Sequence, residues 1–142
     1  MTPRFLLDTN IVLRYFLEPG KLSRPQARIL DESVRRHETL AVSAITLLEI
    51  ALLLGDPRTR LKTTVQDLFE DLSGNPLFVL FPLTFEVAME VSLLGAALRD
   101  PADRAIVATA RVHRLGLLTS DQRIIASRLV ASVGAKPPSS PV

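Results

Sequence analysis

Short apolar runs alternate with longer stretches of helical periodicity along this chain, and that alternation restricts the fold to a parallel sheet covered by helices. Arg4–Leu7 reads as the first strand, Thr39–Val42 as the second, Leu77–Phe81 as the third and Leu115–Thr119 as the fourth, with a weaker fifth at Leu129–Ser132. Between them, Asn10–Phe16 reads as a short helix stopped by Pro19-Gly20, and Ser23 with Pro25 starts a helix over Gln26–Arg36. Ser43 caps an apolar helix that runs to Leu54, where Gly55-Asp56-Pro57 ends it. Thr59–Leu72 sets Leu61, Val65, Leu68, Phe69 and Leu72 at helical spacing. Thr84 with Glu86 begins a helix through Leu98, Asp100-Pro101 begins another to about His113, and a short helix lies near Gln122–Ser127. The expectation is an α/β domain with a central parallel sheet of four to five short strands flanked by helices. At 142 residues and 47% hydrophobic content the chain supplies one core, so residues 1–133 read as one domain and 134–142, rich in proline and serine, as a disordered tail.

Acids mark the ends of these runs. Asp8 closes Phe5-Leu6-Leu7, Glu49 is the sole charge of Ser43–Leu54, Asp103 opens the Ala105–Ala108 helix face, and Asp121 follows Leu117–Ser120. Burying an isolated carboxylate is costly, so such groups are paired, hydrogen-bonded or bound to metal. Gathered by the fold, the four acids would repel one another, and a divalent cation becomes their natural partner, Mg²⁺ being suited to oxygen ligands. Each acid also has a plainer reading. Asp8 and Asp121 sit where strands turn into helices and serve equally as helix caps, and Glu49 can pair with an arginine. Asp100, ahead of Pro101, reads first as a cap, whereas Asp103, one turn further in, is better placed to point at the strand ends.

Composition narrows the chemistry. With no cysteine there are no disulfides, thiolate metal sites or cysteine nucleophiles, which fits a reducing compartment. His37 and His113 have no partner at ligand spacing and read as surface or capping residues. Met1-Thr2-Pro3-Arg4 leads straight into a short run ending in aspartate, unlike a signal-peptide core, and no apolar run reaches the roughly 18 residues that span a bilayer. A soluble, cytoplasmic protein with no membrane segment is expected. The net charge of +2 permits a polyanionic substrate without demanding one. Lysine occurs only at Lys21, Lys62 and Lys136, so the remaining bases are arginines, whose planar fork suits phosphate oxygens as well as it reflects codon bias.

The order of motifs is more specific than any one of them. Asp8-Thr9-Asn10 after the first strand, a lone Glu49 in an apolar helix, Asp100-Pro101-Ala102-Asp103-Arg104 leading into Ala105–Ala110, then Thr119-Ser120-Asp121, together resemble the PIN-domain ribonucleases, and among them the VapC toxins of toxin–antitoxin pairs. The resemblance covers Arg4 to about Ser132 and implies a PIN-like three-layer fold. It implies Asp8, Asp103 and Asp121 as metal ligands and Glu49 as a further catalytic acid, with Asn10, Thr119 and Ser120 as neighbouring polar positions that hold the acids or phosphate. Asp100 belongs to a subgroup pattern and assists. Leu48 stands where many relatives carry an aromatic, and Asn10 where histidine or serine is common; neither change removes a ligand.

From the resemblance follow a Mg²⁺ cofactor, with Mn²⁺ as substitute, single-stranded or structured RNA as substrate, a VapB-like antitoxin as partner, and a homodimer. Arg14, Arg99, Arg104 and Arg123 lie near the acids in sequence and are candidates for flanking phosphates, while Arg104 is equally placed to pair with Asp100 or Glu49. Two other readings stand beside this one. A phosphotransferase with Asp8 as nucleophile would call for Asp-x-Asp, and the second position here is Asn10. A catalytically inactive PIN-like module that binds RNA or protein would have no physical reason to keep like charges together.

Overall fold

A computed structural model describes residues 2–134, so the expected tail beyond Gly134 lies outside the described residues. Gly134 itself is held, its carbonyl accepting the Ser23 hydroxyl at 3.0 Å. Five strands, β1 (Phe5–Leu7), β2 (Leu40–Ser43), β3 (Phe78–Phe81), β4 (Gly116–Leu118) and β5 (Ser132–Val133), pair in parallel in the order β3-β2-β1-β4-β5. The helices are α1 (Thr9–Leu17), α2 (Arg24–Arg36), α3 (Ala44–Gly55), α4 (Val65–Ser73), α5 (Phe85–Leu93), α6 (Pro101–His113) and α7 (Gln122–Ser127), with a 3₁₀ turn at Pro19–Lys21.

The two-residue period of the strands divides the core into two layers. Leu6, Ala41 and Leu117 face one side, where they pack with Val87 of α5, Ile106, Val107 and Ala110 of α6 and Ile124 of α7. Leu7, Leu40, Val42 and Leu118 face the other and meet Ile11 and Val12 of α1, Leu30 of α2, Ile50 of α3 and Leu68 of α4. Each fully buried Leu or Ile contributes roughly 1.5–3 kcal/mol. A one-residue slip of β1 would exchange the two sets, so the register is fixed by both layers at once.

The strand order matters for function. From β1 the chain steps outward through β2 to β3, then returns to place β4 on the opposite side of β1, which makes the boundary between β1 and β4 the topological switch point of the sheet. Asp8 follows β1 and Asp121 follows β4, so both stand at that crevice.

Three boundaries depart from expectation by more than two residues. The helix expected over Thr59–Leu72 begins only at Val65, because the Thr64 hydroxyl caps it by accepting the Asp67 amide at 3.1 Å, while Leu61 packs on the core from an irregular segment. The helix expected through Leu98 stops at Leu93. Beyond it Gly95 turns left-handed at φ 72°, and the Arg104 guanidinium takes up the carbonyls of Val91, Gly95 and Leu98. The fifth strand is Ser132–Val133 and not Leu129–Ser132, since Arg128 ends α7 in the left-handed conformation and Leu129 and Val130 turn inward to the core.

Candidate active site

Asp8, Glu49, Asp103 and Asp121 line one cleft of about 200 Å³, together with Thr9, Asn10, Leu13 and Leu53. Four separate elements deliver them. Asp8 is the N-cap of α1 and Asp121 the N-cap of α7, so the cap reading and the site reading hold together for both residues. Asp103 enters from the first turn of α6, and Glu49 from the middle of α3.

Hydroxyl groups fix the acids. Asp8 is buried, with the Thr9 amide donating to Oδ1 at 2.8 Å and the Thr119 hydroxyl to Oδ2 at 2.7 Å. Thr119 Oγ1 also accepts the Asp121 amide at 3.0 Å, so one side chain ties the acid after β1 to the turn after β4. The Thr9 hydroxyl donates to Glu49 Oε1 at 2.5 Å and lies 3.0 Å from the Thr46 hydroxyl. A Thr9 proton given to Glu49 leaves Thr46 to donate to Thr9, which orients the Glu49 carboxylate from a buried anchor.

Burial and like charge act on Asp8 and Asp103 in the same direction. Desolvation raises the Asp8 pKa above its ordinary value, opposed by the bonds from Thr119 and Thr9 and reinforced by Glu49 and Asp121. Asp103 is pushed up to about 7, first by burial and then by Asp100, Asp121, Asp8 and Glu49. Among the described residues no cationic side chain lines the cleft.

The remaining expected residues divide into those at the cleft and those engaged elsewhere. Asn10 lines the cleft and is exposed. Asp100 caps α6, its Oδ2 accepting the Asp103 amide at 2.9 Å, and it lines an adjoining cavity that shares Asp103. Ser120 Oγ accepts Arg14 at 3.1 Å and Gln26 at 3.0 Å, which commits it to protein contacts. Arg104 pairs with neither Asp100 nor Glu49 and does not reach the acid cleft; its donors go to the carbonyls at the end of α5. The arginine pairing considered for Glu49 is likewise replaced by the Thr9 hydroxyl. His37 ends α2 in the left-handed conformation and His113 packs edge-on against Phe81 at 4.6 Å.

Sequence reasoning missed Thr9, Thr46 and Gln26. Thr9 follows Asp8 directly, and Thr46 stands one helical turn before Glu49, the spacing at which side chains on one face meet. Gln26 gave no comparable signal, since its place in the capping box with Ser23 explains it locally. It is fully buried, and besides accepting the Ser23 amide on Oε1 it donates through Nε2 to the carbonyls of Thr119 and Val133 and to Ser120.

Comparison with known proteins identifies the family and the fold. Residues 5–128 match the PIN domain family. Ribonuclease VapC22 of Mycobacterium tuberculosis (strain ATCC 25618 / H37Rv) is 32% identical over 124 residues, covering 87% of this chain and 91% of its own. The crystal structure of FitAcB from Neisseria gonorrhoeae superposes with a TM-score of 0.68 at 24% identity, covering 92% of this chain and 97% of that one. VapBC2 from Rickettsia felis, bound to a DNA fragment from their promoter, gives 0.71 at 14% identity, covering 93% and 98%. The structural likenesses bear on the fold, and the extent of the sequence match settles the rest: the chain belongs to the PIN-domain family of nucleases.

Proposed function

We propose that this protein is a divalent-metal-dependent endoribonuclease of the VapC kind, with Asp8, Asp103 and Asp121 holding the cation and Glu49 acting on the attacking water. The observation that carries the reading is the convergence of four carboxylates in one cleft that no cationic side chain lines among the described residues, at the switch point of a parallel sheet. An all-oxygen donor set of like charges fits Mg²⁺, with Mn²⁺ as substitute. Among the described residues no group of three or more His, Cys, Asp or Glu side chains is arranged so as to hold a metal ion by itself, and Mg²⁺ is a cation that keeps several of its waters when protein carboxylates bind it. When bound, the cation lowers the pKa of water and offsets charge on the phosphate oxygens.

The chain's own residues supply the rest. Thr119 holds Asp8 and the Asp121 turn in a fixed relation, and Thr46 with Thr9 aims one oxygen of Glu49 inward. Glu49 orients the attacking water and accepts its proton. An acid cluster recessed at strand ends reaches a splayed single strand more readily than an A-form duplex, so the substrate is single-stranded or looped RNA. Hydrolysis by water leaves 5′-phosphate and 3′-hydroxyl ends.

A further structural neighbour is a toxin–antitoxin complex from Klebsiella pneumoniae, and we assign this chain a VapB-like antitoxin and a homodimeric state on the strength of its exposed apolar surface. A groove of about 590 Å³, lined by Leu47, Phe69, Leu72, Phe78 and Leu80 among others, receives the antitoxin. No helix among the described residues is long and apolar enough to cross a membrane, and the cytoplasm is the proposed site of action.

The test pairs single-turnover cleavage of single-stranded RNA in Mg²⁺ with RNA affinity in Ca²⁺. Asp8→Asn abolishes cleavage, and Glu49→Gln lowers it strongly while RNA binding in Ca²⁺ survives. Wild-type protein that binds RNA but never cuts it in Mg²⁺ or Mn²⁺ would make the chain a binding module.

A further inference from the structure

The cleft that holds the acids is too small for a nucleotide, and the space beside it is not. At about 200 Å³ it lies below the roughly 300–1,000 Å³ of typical small-molecule sites, whereas the adjoining cavity measures about 470 Å³. Asp103 lines both, so the two adjoin at that residue. Small side chains, Ala96, Ala97 and Ala126, leave the second cavity open, and Arg99 and Arg123 also line it.

Those arginines differ from several others in the molecule. Arg4, Arg58 and Arg111 are held in ion pairs, and Arg14 and Arg104 in hydrogen bonds. The guanidinium groups of Arg99 and Arg123 are exposed and have no ion-pair or hydrogen-bond partner among the described residues. One wall is also fixed in advance. Arg104 bonds the carbonyls of Val91, Gly95 and Leu98 at 2.8, 2.6 and 2.5 Å, which holds the segment carrying Ala96, Ala97 and Arg99 against α6. Charge-assisted bonds of this kind are about twice as strong as neutral ones, so a ligand meets an ordered surface and pays little to organise it.

We propose that this cavity is a nucleotide subsite, taking the RNA residue that flanks the scissile phosphate, with Arg99 and Arg123 on the neighbouring phosphate. The inference rests on the ribonuclease reading above and adds the direction in which the strand leaves the acids, over α7 and the segment between α5 and α6. Arg104 is a positioning residue that shapes the wall without touching RNA.

Counterion release supplies the test. For single strands each phosphate contact contributes about 0.7 to the slope of log Kd against log salt. The Kd for a labelled single-stranded RNA is measured in Ca²⁺ from 50 to 200 mM salt for the wild type, Arg99→Ala, Arg123→Ala and Arg36→Ala, with folding checked by circular dichroism. Arg36 is an exposed base at the far end of α2, outside both cavities. Arg99→Ala and Arg123→Ala each weaken binding severalfold at low salt and reduce the slope by about 0.7, whereas Arg36→Ala changes neither. Wild-type affinity and slope in both cleft-side variants of a protein that cleaves RNA would remove the subsite and leave the ribonuclease reading intact. A wild type that neither binds nor cleaves RNA would remove both.

Discussion

A hydroxyl has one proton to give, and Thr119 gives its proton to Asp8 Oδ2 while its oxygen accepts the Asp121 amide. Removing that group leaves a buried carboxylate oxygen and a backbone N–H without their partners, each costing about 1–3 kcal/mol. Thr119→Val, close to isosteric, is therefore expected to lower stability by roughly 2 kcal/mol and cleavage at least tenfold, with Thr119→Ser recovering most of both; thermal melts and single-turnover cleavage measure it. Unchanged cleavage in the valine variant would mean that Asp8 needs no such support. Asp103 gives a second expectation. Its folded pKa of about 7 against an ordinary 3.8 means that the folded state binds more protons than the unfolded state between those values, so the stability of metal-free protein falls as pH rises through the window. Melting temperatures in EDTA from pH 4.5 to 7.5 should fall more steeply in the wild type than in Asp103→Asn. A shallower slope in the wild type would contradict the burial and repulsion assigned to this group. The acids were legible in the sequence because charge inside an apolar run has to be explained. The hydroxyls that orient them were not, because a threonine beside a strand end or inside a helix satisfies its own backbone in most contexts.

At the scale of elements, helix caps and the acids of the cleft share positions. Asp100 caps α6 and Asp103 follows three residues later in the same first turn, so the helix start and one wall of the cleft are built from a single tetrapeptide. The two roles separate by substitution. Asp100→Ala should destabilise by about 1 kcal/mol, the usual cost of losing a cap, and Asp100→Asn by little, since asparagine caps equally well. Asp103→Asn should abolish cleavage while leaving the helix start intact. A dead Asp100→Asn beside an active Asp103→Asn would exchange the assignments. Helix and strand identities were readable from periodicity and caps, but three ends were missed by more than two residues. The start of α4 went to the Thr64 hydroxyl over the apolar period that runs back to Leu61. The end of α5 was decided by Arg104, nine residues beyond Gly95 in the chain, and such a tertiary contact has no local signature. β5 moved because Arg128 turns left-handed, a conformation that sequence marks clearly only when glycine supplies it.

For the whole molecule, the exposed apolar surface is more decisive than net charge. Phe85, Met89 and Leu93 recur at four-residue intervals along α5 and are 95%, 65% and 69% exposed, and Leu48 and Leu52 repeat the spacing on α3 at 54% and 68%. Single exposed leucines need no explanation, but two apolar stripes containing an almost fully exposed phenylalanine mark surfaces meant to be covered. A stable interface takes about 800 Å² from each partner, and burying a phenylalanine at its centre contributes roughly 1.5–3 kcal/mol to each side. In a two-fold dimer that contribution is counted twice, so one substitution has a doubled effect. The wild type should therefore sediment as a dimer at micromolar concentration and show a melting temperature that rises with protein concentration. Phe85→Glu should shift it to monomer and abolish that dependence, with the circular dichroism spectrum retained because Phe85 makes no contribution to either buried layer. A wild type that remains monomeric at tens of micromolar would assign the α5 stripe to the antitoxin, and the same Phe85→Glu variant would then lose antitoxin binding while keeping RNA cleavage.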